Sequence, residues 1–102
     1  MTRIGDETVN SFSHGRTSGI GTTAVPIADS DAPVTKGVQV RAADDNAAAV
    51  YVGGSGVTTD TADTTDGYPL AAGETLFVPV NEVRKVYVRS TVANQKVFWL
   101  AI

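Results

Sequence analysis

The stretch AVYVGGSGV (residues 49–57) contains the tripeptide Val-Tyr-Val, which returns in KVYVRSTV (residues 85–92). In both copies valine alternates with tyrosine, the period-two pattern of a strand that buries one face. The glycine-rich segment GGSG (residues 53–56) lacks the Lys-Ser/Thr of a phosphate-binding loop, and no helical pattern follows it. We therefore interpret GGSG as a sharp turn after a strand, where glycine adopts positive backbone angles at low cost.

Similar alternating patterns run through the chain after residue 21 and predict further short strands. We predict strands at residues 22–27, 37–42, 48–53, 74–80, 84–91 and 96–102. Pro26 and Pro79 assign two of these strands to sheet edges, because proline cannot donate to a ladder. No segment has the apolar period of a helix longer than one turn. The predicted fold class is all-β: a small antiparallel β-sandwich or barrel of about seven strands, formed by residues 22–102.

Residues 1–21 are polar and glycine-rich, and we interpret them as an extended N-terminal arm. The apolar residues in this arm would anchor it on a neighbouring subunit. These anchors are Ile4, Val9, Phe12 and Ile20. The alternative is a loose terminus with no role.

The composition restricts the function classes. The chain has 102 residues, enough for one domain, and 42% of them are hydrophobic, as in globular proteins. The net charge of −3 argues against nucleic-acid binding, which relies on a basic surface. The absence of cysteine excludes disulfides and thiol chemistry. The first twenty residues contain no signal peptide or membrane segment, so we expect an aqueous location and no membrane partner.

The sequence contains no convincing catalytic set. The only histidine, His14, lies in the predicted arm, and Glu74 and Glu82 do not form a recognisable acid–base pair. We expect no enzymatic activity and no cofactor. Asp60, Asp63 and Asp66 recur at every third residue, which raises a cation site as an alternative, but a solvated turn-rich loop is favoured.

Aromatic residues on the outer side of the predicted strands indicate a partner. If the alternating valines face the core, Tyr51, Phe77 and Tyr87 project outward, joined by Phe98 or Trp99 from the last strand. The alternative is that a loop or the arm of the same chain covers these rings.

Charge is also sorted along the chain. Residues 44–66 contain five aspartates and no base, whereas residues 84–96 contain four bases and no acid, including Arg84 and Arg89. This separation suggests contacts between subunits, or docking on a charged surface, through complementary charge.

Five linked motifs cover residues 36–102: KGVQVRA, NAAAVYVGGSGVTT, GYPLAAGETLFVPV, KVYVRST and VFWLAI. As a string they resemble a group of small virion proteins of tailed bacteriophages. The resemblance implies a β-sandwich or barrel with a structural role and no catalytic residues. Its members look like capsid decoration (cement) proteins or fibre components.

From these features together we expect a capsid decoration protein, made in the host cytoplasm and located on the capsid surface of the virion. Its partner would be the major capsid protein, and it would form a homo-oligomer, with a trimer favoured. The alternative is a receptor- or glycan-binding module of a phage tail or head fibre, with Tyr51 and Tyr87 in contact with the host.

Overall fold

The fold is nearly all β. The computed structural model describes residues 12–28, 34, 36–59 and 64–102. The strands are β1 (Ser13–Ile20), β2 (Val25–Pro26), β3 (Val38–Ala42), β4 (Val50–Gly53), β5 (Tyr68–Leu70), β6 (Thr75–Val78), β7 (Tyr87–Ser90) and β8 (Gln95–Ala101). A short 3-10 helix, Val83–Lys85, precedes β7.

The strands form two antiparallel sheets of four strands each. Sheet A has the order β1-β8-β3-β6, and sheet B has the order β2-β7-β4-β5. The predicted all-β fold is confirmed, and of the two architectures left open, sandwich or barrel, the two sheets correspond to the sandwich. The predicted edge positions of Pro26 and Pro79 are also confirmed, because β2 is the outer strand of sheet B and Pro79 directly follows the outer strand β6 of sheet A.

The core lies between the inner faces of the two sheets, and period-two alternation builds it. In β3, buried Val38, Val40 and Ala42 alternate with two exposed residues, as predicted. Valine dominates the core because its branched side chain packs well on a pleated surface. Each buried valine stabilises the fold by about 1.5–3 kcal/mol. The core cluster comprises Ile20, Ile27, Val38, Val40, Ala42, Val50, Val52, Leu70, Val83, Val86, Val88, Val97 and Ala101.

The interpretation of residues 13–20 as part of an arm is corrected by the structure. These residues form β1, which pairs along β8, and Ile20 is fully buried in the core of its own chain. The register between β1 and β8 shifts between Thr17 and Ile20, where Gly19 has a φ of +70°. This bulge inserts one extra residue, so Ile20 points inward although Gly15 and Thr17 set the opposite parity. The alternation that identifies a strand is therefore interrupted in the sequence.

The residues predicted to anchor the arm lie in different environments. Ile20 anchors the chain to its own core, and Phe12, just before β1, is 65% exposed. Ile4 and Val9 lie outside the described residues.

The short strand β5 lies outside the strands predicted from the sequence. Pro69 occupies its middle, opposite Tyr51 of β4. Proline is compatible with this position because β5 is the outer strand of sheet B, where an N–H on the free side is not needed.

The turn between β3 and β4, which joins the two sheets, is fastened to β8 by two amide side chains. Asn46 exchanges hydrogen bonds with Lys96: its Nδ2 donates to the Lys96 carbonyl at 2.8 Å, and the Lys96 N–H donates to its Oδ1 at 2.8 Å. Gln95 is buried, and its Oε1 accepts from the N–H groups of Ala47 and Ala48 at 2.7 and 3.1 Å. These hydrogen bonds satisfy backbone groups at the turn that have no partner in a β-ladder.

Candidate binding surface

The candidate site is the outer face of sheet A, which we call the sheet A face. Its side chains come from β1, β8 and β3, where they alternate with the inward-facing residues, and from Phe77 of β6. The sheet A face consists of His14, Arg16, Gln39, Arg41, Phe77, Phe98 and Leu100, with Phe12 at its rim.

The strand register places apolar side chains between polar ones. Phe98 of β8 pairs with Arg16 on one side and Arg41 on the other. In the next row, Leu100 lies between His14 and Gln39. Cross-strand neighbours of this kind lie about 4.5–5.5 Å apart, so the Arg16 guanidinium can lie against the phenyl ring or extend past it to a partner, whereas that of Arg41 contacts Asp44.

The apolar members of this face are open to solvent. Phe77 is 47% exposed, Phe98 45% and Leu100 37%. Phe77 also reaches back over Gly37, where a Cβ would lie 2.8 Å from its Cζ. Large side chains that share one outer face, rather than being scattered singly, are typical of interaction surfaces.

Ion pairs lie at the end of the sheet A face nearest the β3–β4 turn. Arg41 contacts Asp44 and Lys96 contacts Asp45, each at 3.0 Å. The hydrogen bond and the positive charge of Lys96 lower the pKa of Asp45. The second pair joins the acidic segment 44–66 to the basic segment 84–96 within one chain. Part of the charge separation that suggested contacts between subunits is therefore satisfied inside the fold.

A shallow depression of about 140 Å³ lies in the middle of the sheet A face. It is lined by Gln39, Arg41, Phe98, Trp99 and Leu100. An aromatic ring beside an amide and a guanidinium offers both a stacking surface and hydrogen-bond donors. This combination can hold a small polar group with an apolar side, such as a sugar ring or a side chain of a partner.

The outer face of sheet B, by contrast, is partly covered by its own chain. The Val57 side chain lies over Gly53 and Gly67, where Cβ atoms would be 2.8 and 2.5 Å from its Cγ2. Val57 is only 3% exposed, and Nη1 of Arg89 donates to its carbonyl at 3.4 Å. Tyr51, which pairs with Arg89, is half-buried beside this loop. The alternative that a loop of the same chain covers the aromatic residues therefore holds for sheet B.

This contact also corrects the explanation of the glycine-rich turn. No residue of Gly53-Gly54-Ser55-Gly56 has a positive φ. Gly53 is required because Val57 approaches its backbone closely, and among the described glycines the positive angles occur at Gly19, Gly37 and Gly73.

The six residues predicted for a single interface are divided among three places. Phe77 and Phe98 lie on the sheet A face, whereas Tyr51, Tyr87 and Arg89 lie on the outer side of sheet B. Arg84 is exposed in the 3-10 helix. The prediction that the aromatic side chains point outward was correct. However, the strand order places them on opposite surfaces of the sandwich.

Sequence reasoning missed five members of the sheet A face: His14, Arg16, Gln39, Arg41 and Leu100. Arg41 and Leu100 are alternate positions of identified strands, so the period-two signal was available. His14 and Arg16 join the face only because β1 belongs to sheet A.

An apolar cleft of about 380 Å³ opens between the sheets beside β6. Leu76, Val78 and Val80 form one wall, and Val52 and Val86 belong to the other. Lys85 lies at the cleft near the end of β6, where its Nζ donates to Asn81 Oδ1 at 2.8 Å.

The described residues contain no group of three histidine, aspartate or glutamate side chains able to hold a metal ion. Of the three aspartates in the Thr/Asp loop, Asp66 accepts a hydrogen bond from Thr58 Oγ1 at 2.8 Å, and Asp60 and Asp63 lie outside the described residues. His14 is exposed on the sheet A face. In the described part of the chain, no helix is long and apolar enough to cross a membrane.

The fold and surface together define a small antiparallel β-sandwich with one outer face that is apolar, arginine-containing and open. No family model, curated protein or solved structure matches this chain.

Proposed function

We propose that the protein is a capsid decoration (cement) protein of a tailed bacteriophage, which binds the major capsid protein on the outside of the assembled head through the sheet A face. The observation that carries the proposal is that Phe98 and Leu100 lie exposed side by side between polar residues on the same sheet face. The similarity of the five linked motifs to virion proteins supports the choice of partner.

The chemistry of the sheet A face suits docking on a folded protein surface. Burial of Phe98 and Leu100 would supply apolar contact, and the arginines on either side of Phe98 would select an acidic rim on the partner. Arginine and phenylalanine are also among the residues enriched in protein interfaces.

Stabilisation of the shell follows from linkage. A protein that binds only the assembled lattice lowers the free energy of that state relative to dissociated subunits. If it binds as a homo-oligomer, several weak contacts act together as avidity. No catalytic step is needed for this role, and the location would be the capsid surface of the virion.

A binding experiment with two matched variants tests the proposal. Phe98→Ser removes an exposed ring from the sheet A face, and Tyr68→Ser removes an exposed ring from the end of sheet B. We expect Phe98→Ser to weaken co-sedimentation with phage heads by about tenfold or more, because a truncated interface anchor costs about 2 kcal/mol. Tyr68→Ser should bind like the parent. Equal binding by all three proteins would reject the sheet A face as the docking surface.

A glycan-binding module of a tail or head fibre is the second candidate, and the depression beside Phe98 favours it. In this case Arg41→Ala and Gln39→Ala would abolish binding on a glycan array or in a saccharide titration. Binding to shells would then be absent in the parent protein, which separates the two functions.

A further inference from the structure

We propose that two copies of this chain pair edge to edge through β6, so that their A sheets form one continuous sheet across a two-fold axis at Phe77. This pairing is a property of the free protein and does not depend on the proposed function. It differs from the trimer expected from the sequence.

Among the described residues, no strand pairs with the outer side of β6. The Ala42 N–H donates to the Glu74 carbonyl at 2.9 Å, so the carbonyl of residue 74 is directed toward β3. Hydrogen-bonded and non-hydrogen-bonded pairs alternate along antiparallel strands. Thr75 and Phe77 therefore direct their N–H and C=O groups away from β3, toward the edge of sheet A.

The side chains of this edge do not protect it. Residues 75–80, TLFVPV, contain no charged residue, although proteins commonly place lysine or another charge on an exposed edge. Pro79 gives the only local protection in this segment, and it affects just the end of the strand, because a missing N–H shortens a new ladder without blocking its centre.

The inner side of the edge is apolar and unfilled. Leu76, Val78 and Val80 are only half-buried, and they line the cleft of about 380 Å³ between the sheets. A second strand beside β6 would place its own inward residues over this cleft. The strand that covers this cleft must therefore be extended and apolar on one side. β6 of another copy meets both requirements.

Charge complementarity favours β6 of a second copy, in an antiparallel arrangement, as the strand that pairs with β6. With Phe77 of one copy opposite Phe77 of the other, Glu74 of one copy lies opposite Val80 of the other. Val80 adjoins Asn81, which holds the Lys85 ammonium group. The Glu74 carboxylate accepts a hydrogen bond from the Ala71 N–H at 2.8 Å through Oε1 and is exposed. In this pairing it would face the exposed Lys85 of the other copy, and two-fold symmetry would generate this pair twice.

Cysteine cross-linking provides a direct test, because the chain has no cysteine of its own. Paired residues at a hydrogen-bonded position have Cα atoms about 5.5 Å apart, within the range of a disulfide. Phe77→Cys should therefore give a disulfide-linked dimer under mild oxidation. Phe98→Cys is the matched control: Phe98 is exposed to a similar degree on the same face, but lies on an inner strand. It should stay largely monomeric.

Charge exchange tests the orientation of the two copies. Glu74→Lys and Lys85→Glu should each raise the dimer dissociation constant in analytical ultracentrifugation by about 2- to 30-fold, since each variant disrupts two exposed ion pairs. The double variant should restore association toward that of the parent, which a loss of folding would not do.

Three outcomes would overturn the proposal. The first is a parent protein with the mass of one chain at every concentration. The second is cross-linking of Phe77→Cys no faster than that of Phe98→Cys. The third is efficient cross-linking of Arg16→Cys on the opposite edge, which would assign the self-contact to β1.

Discussion

Gly15 and Trp99 form a cross-strand pair in which the indole occupies the space that a side chain at position 15 would need. A Cβ on Gly15 would lie 2.6 Å from Cζ2 and 2.7 Å from Cε2 of the ring. The bare backbone of β1 lets Trp99 lie across the edge of the core, and Trp99 in turn covers the outermost strand of sheet A. This contact explains why β1 belongs to the domain despite its polar sequence.

Gly15→Ala should lower the free energy of unfolding by about 1–3 kcal/mol, because the new methyl group cannot fit without displacing the indole. Gly54→Ala is the matched control, since no atom lies within 4 Å of its Cβ position and its φ is not positive. Urea unfolding followed by tryptophan fluorescence measures both. Equal midpoints for the two variants would contradict the Gly15–Trp99 contact.

Trp99→Ala should destabilise the protein by about 3 kcal/mol, at the lower end of the usual range for tryptophan because the ring is only partly buried. Its neighbour Phe98 points to the opposite side, so Phe98→Ala should change stability by only about 0.5 kcal/mol or less. Thermal unfolding followed by far-ultraviolet circular dichroism compares the two. A larger loss for Phe98→Ala would mean that the strand faces are reversed.

Gln95→Ala should lower stability by about 2–4 kcal/mol. The side chain is 3% exposed, and its loss leaves the N–H groups of Ala47 and Ala48 and the carbonyl of Ala93 without this partner. An unsatisfied buried polar group costs about 1–3 kcal/mol. Amide hydrogen exchange should also accelerate at Ala47 and Ala48, whereas the β4 amides should keep the protection set by global unfolding. Unchanged exchange at both alanines would show that another group replaces the amide.

The Asp45–Lys96 pair predicts a specific pH dependence. Lys96 lowers the pKa of Asp45 below its ordinary value of 3.8, so the folded state binds the Asp45 proton less readily than the unfolded state. The stability from this pair is therefore present above the unfolded pKa and is lost as the pH falls through the lower folded pKa. Because the pair is exposed, its contribution is small.

Asp45→Asn tests this dependence. It should be slightly less stable than the parent at neutral pH, and the difference should vanish at a pH well below 3.8. In a Lys96→Met background, Asp45→Asn should have little effect at either pH. A difference that persists in strong acid would have a cause other than this ion pair.

Truncation distinguishes the sheet from the terminal segment. Removal of residues 1–20 deletes β1 and the fully buried Ile20, so we expect loss of cooperative unfolding. Loss of an isoleucine from a core typically costs about 2–5 kcal/mol before the missing strand pairing is counted. Removal of residues 1–11 leaves all described strands intact and should preserve the transition. A folded product of the longer truncation would show that sheet A is stable with three strands.

Local patterns were sufficient to predict the strand class and the direction of most side chains. Val50, Tyr51 and Val52 alternate inward and outward in the structure as their order in the chain requires. This works because the side chains of a strand alternate by geometry, whatever the strand pairs with. The same reasoning placed Phe77 outside, and it identified the edge strands marked by Pro26 and Pro79.

Local patterns fail where the backbone departs from strict alternation or where a contact depends on distant residues. The inward residues of β1 before the bulge are Gly15 and Thr17, so no apolar alternation marks the strand, and the bulge then reverses the parity at Ile20. Gly53 reads as a turn residue, although its role is set by Val57, which folds back over it.

The sequence by itself determined that this chain forms short strands with one apolar side, because that property depends only on neighbouring residues. The tertiary structure alone decided which strands share a sheet. Strand order separates Tyr51 and Tyr87, on a face partly covered by a loop, from Phe77 and Phe98, on a face that stays open. Pairing partners are chosen by long-range packing and loop closure, and the alternation of a strand is the same whichever neighbour it has.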